Sequence, residues 1–244
     1  MDHKKGRKRF IISEQSPRSA PMAGTEPPAP ARRRSSPLEK PEAEIARESH
    51  TERFAARDFS SLLGTPGFSD TMLKNHFELY QGYVKNANLI LGELERLTKE
   101  DRLESPPAAE LRRRFGWEYD SIRLHEYYFE NLTKTPKPPD PGSRLFTRLN
   151  EDFGGFENWK KDFLAVGAMR GIGWAVVFHD ELRNRLMNAW INEHDAGHLV
   201  GCTPILVMDV FEHAFMIDYG VKKAGYIEAF FKNLNWDMVT SRLP

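Results

Sequence analysis

The segment Asp209-Val-Phe-Glu-His213 places a carboxylate and an imidazole four residues apart, directly after the apolar run Pro204-Ile-Leu-Val-Met208. A carboxylate and a neutral imidazole are the ligand pair that suits a redox-active first-row metal such as iron or manganese. Two ligands do not make a site, but the chain holds two more imidazoles among aromatic neighbours. His76 lies one helical turn before Tyr80 and two before Tyr83, and His125 is followed by Glu126-Tyr-Tyr-Phe129. Singly, each histidine reads more simply as a core or boundary residue, and Asp209 as a turn residue or an ion-pair partner of His213. Together they supply three nitrogens and one oxygen. A metal among them also accounts for burying an aspartate that is otherwise costly to desolvate.

These side chains need elements to bring them together. Ser69 is a good N-cap, and the spacing predicts a helix from there to about residue 97. Leu73, Phe77, Tyr80, Val84, Ala87, Leu91 and Leu94 recur at alternating intervals of four and three, which is one apolar stripe. Pro106-Pro107 breaks the chain, and a second helix is expected over about 108–132, with Ile122, Tyr128, Phe129 and Leu132 facing inward. Two long helices with a short connection make an antiparallel hairpin, assigned to residues 59–135. A stiff proline-rich linker at 136–143 marks the domain boundary. In 144–244 an amphipathic helix is predicted at 156–170. Strands follow at 173–178 and 186–191 around the turn 180–184, with a third at 204–208 and closing helices at 225–234 and 236–243. The fold class is therefore α+β, a long helical hairpin followed by an α/β domain with a three-stranded antiparallel sheet. A site between two such domains lies where ligand sites are common.

Composition narrows the function classes. The 244 residues carry 35 basic and 35 acidic side chains, so no net charge draws the chain to nucleic acid or anionic lipid. One cysteine, Cys202, excludes an internal disulfide framework and a cysteine-based zinc site; a small packed thiol is the simplest reading of it. Residues 1–58, rich in Pro, Ser, Arg, Glu and Ala, bury too little apolar surface to order and are expected to form a disordered basic tail. Its Arg32-Arg-Arg34-Ser-Ser36 run offers a docking patch or phosphorylation site, although a solvated tail is the simpler reading. Nucleic acid is expected as a partner only through this tail. Phe10-Ile-Ile12 is too short for a secretory core, and acidic residues at 14, 26, 39 and 42 argue against a transit peptide. No apolar run approaches a membrane span, so a cytoplasmic location without membrane contact is expected.

Over roughly residues 58–243 the chain resembles the iron/manganese superoxide dismutase family. His125-Glu-Tyr-Tyr-Phe-Glu-Asn-Leu132 is similar to that family's NHxxxWxxL helix. Phe153-Gly-Gly-Phe156 through Gly171-Ile-Gly-Trp174 is similar to its FGSF…F…GSGW stretch. Asp209-Val-Phe-Glu-His-Ala214 is similar to its highly specific DVWEHA signature, and Asp218-Tyr219 and Asn235-Trp236 also match. The resemblance implies one iron or manganese ion per chain, held by His76, His125, Asp209, His213 and a solvent molecule. It implies superoxide as substrate, converted to oxygen and hydrogen peroxide in two half-reactions. Tyr83 would take the part of the tyrosine guarding the approach, Trp174 would wall the cavity, and Glu212 would reach the other subunit of a homodimer.

The departures from the pattern are specific. The family usually counts eight from its first ligand to that tyrosine, whereas His76 to Tyr83 is seven. Aligning backward from Tyr83 puts Asn75 at the ligand position; asparagine ligates these metals poorly, so His76 is retained. A one-residue deletion would also relieve a helical bulge. The family's solvent-contacting glutamine is missing: one of its positions reads Ser121 and the other region reads Asn192-Glu-His-Asp195, making His194 the candidate there. Phe129, Val176 and Phe211 stand where tryptophans are usual, and Tyr80 or Leu79 and Met216 stand where an interface histidine and tyrosine are usual. The alternative reading is a dismutase-shaped scaffold or binding module without dismutase activity. An oxygenase would need two histidines, one carboxylate and open positions, which the extra histidine argues against.

Overall fold

Ser69 caps the first long helix as its sequence predicts. Its hydroxyl accepts a hydrogen bond from the Met72 amide at 3.1 Å, and α1 runs unbroken over Asp70–Lys99. The computed structural model describes residues 53–244, so the tail's expected disorder over 1–52 and its run at residues 32–36 lie outside the described residues. The last part of the expected tail is described and packs on the hairpin. The Phe54 amide donates to Asn88 Oδ1 at 2.9 Å while Asn88 Nδ2 donates to the Phe54 carbonyl at 2.8 Å, and the Arg57 amide donates to the Tyr80 hydroxyl at 3.0 Å. Composition alone misses these anchors, because they are single polar side chains on α1.

α1 ends in a hydrogen-bonded reversal. Asp101 takes a left-handed conformation (φ 52°), the Arg102 amide donates to the Leu97 carbonyl at 2.9 Å, and the Asp101 amide donates to the Thr98 carbonyl at 3.1 Å. The second helix, α2, spans Pro106–Glu130. It starts two residues before the expected position, because proline lacks only an N–H that is unpaired anyway in a first helical turn. After the proline-rich linker comes a helix that the sequence does not predict. This is α3, Arg144–Phe153, capped by Ser143, whose hydroxyl accepts from the Phe146 amide at 3.2 Å. α4 covers Phe156–Ala168, slightly shorter than expected.

The sheet consists of β1 (Gly173–Asp180), β2 (Arg185–Asn192) and β3 (Cys202–Asp209), antiparallel in the order β2-β1-β3. Pro204 is tolerated because β3 is an edge strand, where a missing donor breaks no central ladder. It pairs with Phe178 where the register shifts, leaving Ile205 as the extra residue. β1 is buried along nearly its whole length, as a strand covered on both faces must be. One face looks toward α4, where the Trp159 indole donates to Asn188 Oδ1 at 3.1 Å. The other carries Trp174, paired with Ile191 and with Asp209, and looks toward α2. That register puts Asp209, the last residue of β3, on the face that meets the hairpin.

After β3 come a short 3-10 turn at Glu212–Ala214, then α5 (Met216–Tyr219), α6 (Lys223–Lys232) and α7 (Trp236–Ser241). Asp218 and Tyr219 tie this segment to the start of α1. Asp218 Oδ2 accepts from the Ser69 amide at 2.6 Å, and the Tyr219 hydroxyl donates to the Gly67 carbonyl at 2.5 Å. Among the described residues no helix is long and apolar enough to cross a membrane.

Gly173 opens β1 at φ 150°, and a Cβ there would lie 2.0 Å from the Ile191 carbonyl oxygen. Gly173→Ala is therefore expected to cost about 2–3 kcal/mol, read as a lowered urea midpoint of the metal-free protein. An unchanged midpoint would contradict the close approach.

Candidate metal centre

Four elements converge on one buried point. His76 projects from α1, His125 from α2, Asp209 from the end of β3 and His213 from the 3-10 turn. Each offers one ligand atom, and these atoms lie within 4.8 Å of one another. Asp209 Oδ2 is the hub, with His76 Nε2 and His213 Nε2 both at 3.1 Å and His125 Nε2 at 3.7 Å. His76 is buried in the cluster, while Asn75, the residue that alignment backward from Tyr83 would put there, faces solvent. His76, His125 and Asp209 are essentially inaccessible, and the His213 side chain is 27% exposed.

The geometry fixes chemistry as well as place. His125 Nδ1 faces the Ser121 carbonyl at 2.6 Å. A carbonyl only accepts, so Nδ1 carries the proton and Nε2 carries a lone pair. That Nε2 is buried with no hydrogen-bond partner. A buried, orphaned acceptor aimed into a carboxylate and two further imidazoles is the arrangement a cation completes. Donor atoms around one ion roughly 2.1 Å away stand about 3–4 Å apart, the spacing that the three imidazole nitrogens keep from Asp209 Oδ2. The residues present therefore fit a first-row metal ion.

Burial pushes the His76 pKa down, against the opposing pull of its Asp209 bond, and pushes that of His125 well below the usual imidazole value, with His76 adding to the effect. Both are thus neutral near pH 7, the form in which imidazole ligates. Burial alone raises the Asp209 carboxyl, but His213 and the hydrogen bonds from His213 and His76 outweigh it and hold the group well below the carboxylate range. The Phe211 amide donates to Oδ1 at 2.8 Å, which leaves Oδ2 for the cluster. Tyr226, which the sequence reading passed over, donates to the Asp209 carbonyl at 2.5 Å.

His194 and Tyr83 form the next shell outward. The Trp174 indole N–H donates to His194 Nδ1 at 3.2 Å, and His194 Nε2 lies 3.3 Å from the Tyr83 hydroxyl. An indole only donates, so Nδ1 is the bare nitrogen and Nε2–H points at Tyr83. Far from being an exposed hairpin-end residue, His194 is fully buried. Tyr83 lies two turns beyond His76 on a helix without a bulge, in line with the seven-residue count. Trp117 was missed: its indole meets His194 edge-on at 4.4 Å and Tyr83 at 5.6 Å. The available signal was its spacing of four before Ser121 and eight before His125, on one face of α2.

A helical hairpin and an α/β domain closing on one buried cluster of three imidazoles and a carboxylate define a protein built around a single first-row metal ion. Comparison with known proteins agrees. The family model described as "Iron/manganese superoxide dismutases, C-terminal domain" matches residues 141–242. The chain is 35% identical to the iron superoxide dismutase of Aquifex pyrophilus over 181 residues, covering 72% of this chain and 84% of that protein. It is 35% identical over 184 residues to the iron superoxide dismutase of Cupriavidus metallidurans, covering 72% and 88%. It is 33% identical over 189 residues to manganese superoxide dismutase 2 of Haloferax volcanii, covering 72% and 87%. The chain belongs to the iron/manganese superoxide dismutase family.

Burial pushes the His194 pKa down to about 4 from 6.5. Between these values the unfolded chain binds a proton that the folded chain refuses, so this contribution is complete above about pH 6.5 and is lost as pH falls toward 4. In the metal-free protein, His194→Gln is expected to remove about 3 kcal/mol of the stability loss between pH 7 and 4. Denaturant titrations at both pH values check this; equal losses in the two proteins would contradict it.

Proposed function

We propose that the protein dismutates superoxide to oxygen and hydrogen peroxide at one iron or manganese ion held by His76, His125, Asp209 and His213. The observation that carries this reading is the orphaned His125 Nε2 pointing into a buried cluster of three imidazoles and one carboxylate. Membership of the family supports it from the side of sequence. A bound iron or manganese ion would supply the one-electron redox couple that dismutation needs.

The remaining work falls to the protein. Neutral His76 and His125 present lone pairs, and the low pKa of Asp209 keeps it anionic, so it brings a negative charge to the cluster. Peroxide formation consumes two protons. Tyr83 is suited to hold one: burial first, and the Asp209 charge second, raise its pKa, so the hydroxyl stays protonated at neutral pH. Because His194 Nε2–H donates to the Tyr83 oxygen, the Tyr83 O–H is free to point toward a small anion at the cluster. His194 in turn is locked in that tautomer by Trp174. Tyr83 and His194 are accordingly the catalytic residues of this proposal, and Trp174 positions His194.

Glu212 is exposed next to His213. That placement suits a homodimer in which the partner's surface covers His213. Tyr80, one candidate for the usual interface histidine's place, is buried instead and donates to Glu126 Oε1 at 2.9 Å, while Leu79 and Met216 are exposed. The cytoplasmic address belongs to the same proposal. The scaffold alternative finds no support in the ligand set, since all four side chains converge.

Superoxide decay per bound metal, measured on protein loaded separately with iron and manganese, tests the function directly. Rapid decay with one metal supports the reading, and none with either overturns it. His125→Ala and Asp209→Ala are each expected to lose the metal, read by elemental analysis; full retention in either removes that ligand. His194→Ala should retain the ion and slow turnover by roughly ten- to a hundredfold. Unchanged kinetics would take His194 out of the mechanism.

A further inference from the structure

The ring of His194 is held at both nitrogens, but the ring can only be as well placed as the backbone that carries it. That backbone is an exposed turn between β2 and β3. Asn192 and Ala196 exchange amide–carbonyl bonds across it at 2.7 and 3.3 Å, and Glu193 adopts a left-handed conformation (φ 49°). Gly197 follows at φ 113°, where a Cβ would lie 2.7 Å from the Trp190 carbonyl oxygen. Its backbone tie to the sheet is the Glu193 amide, which donates to the Ile172 carbonyl at 3.2 Å.

One side chain reaches back to it. His198 Nε2 lies 2.8 Å from the His194 carbonyl oxygen and 3.4 Å from Asp120 Oδ2 on α2. A carbonyl only accepts, so Nε2 carries the proton and donates it to the His194 peptide, with the Asp120 carboxylate within ion-pair distance of the same nitrogen. A second, weaker clasp runs from the Trp117 indole to Glu193 Oε2 at 3.3 Å. Both clasps join the turn to α2, the helix that carries His125.

We propose that His198 is a positioning residue for the site: its Nε2–H pins the His194 peptide to Asp120 of α2 and so sets the distance from the His194 ring to Tyr83. The geometry makes the link consequential. The His194–Tyr83 separation is already 3.3 Å, near the long end of a useful hydrogen bond, and a shift of about 0.5 Å breaks it. The kinetic part of this inference rests on the dismutase reading, whereas the structural part does not.

The test compares metal-loaded, full-length wild type with His198→Ala, His198→Gln and Asp120→Ala. In crystals of His198→Ala the His194 Nε2 to Tyr83 hydroxyl distance is expected to exceed about 3.5 Å, with kcat lowered roughly tenfold and metal content unchanged. His198→Gln keeps an N–H that can reach the carbonyl, and should restore the distance and return kcat to within about twofold of wild type. Asp120→Ala removes the other end of the clasp and should displace the ring in the same direction. It decides the question if His198→Ala does not fold. The proposal is overturned if the ring stays in place in His198→Ala, if His198→Gln is as displaced as His198→Ala, or, where only Asp120→Ala can be examined, if the ring does not move. A wild-type protein without turnover would end the dismutase reading, and the crystallographic distance would still decide the role of His198.

Discussion

The Asp209 carboxylate is fully buried, and the rest of the structure is arranged around that fact. Desolvating a carboxylate costs several kcal/mol even after relaxation, so it persists only where every lone pair is used. The Phe211 amide takes one oxygen and His76 and His213 approach the other. Phe211 and His213 follow Asp209 in the same segment, but His76 comes from the hairpin, so the charge is fully satisfied only when hairpin and sheet are docked. An ion bound there would add its binding free energy to folding, which makes the junction between the two halves the natural place for metal to stabilise the protein.

The same constraint explains the backbone devices around the cluster. The register of β3 against β1 sets Asp209 beside Trp174 on the face toward α2. Trp174 then does two things: it packs against the His125 ring at 4.9 Å and donates to His194. Asp218 and Tyr219, which follow the 3-10 turn carrying His213, hold the first turn of α1 and hence the helix carrying His76. Elements that deliver one ligand therefore also brace the element delivering another, so small rigid-body errors in one are resisted by the others.

Much of this was legible in the sequence because it is local. The four-residue spacing of Asp209 and His213, the stripe on α1, the Ser69 cap and the three strands are read from neighbours along the chain. The site's outer shell was less legible for the opposite reason. Tyr83 and His194 are 111 residues apart, and no spacing rule connects a helix surface to a turn; only the resemblance brought the two forward, and it could not say that they touch. The α3 helix was hidden by the proline-rich stretch before it, although Leu145 and Leu149, its buried residues, stand at helical spacing. Trp117 and Tyr226 each looked like an ordinary aromatic on an amphipathic helix, because what distinguishes them is the partner across the interface.

The departures from the family pattern bear on whether the site has decayed or been rebuilt. Decay would leave the neighbours of a lost aromatic ring poorly packed. Here Phe211, in a usual tryptophan position, lies nearly parallel to the His194 ring, with centroids 4.7 Å apart and planes at 15°. Trp117 closes the other side of that imidazole, and Arg114 in turn lies over Trp117 at 3.8 Å. Phe129 packs edge-on to His76 at 4.9 Å. A smaller ring at 211 thus accompanies an imidazole at 194 and an indole at 117, which keeps the volume filled around the Tyr83 hydroxyl. Loss of function imposes no such matching among three positions on three different elements. A requirement to keep one hydrogen-bonded imidazole beside Tyr83 does, and this coordinated repacking weighs for a working site over an inherited shape.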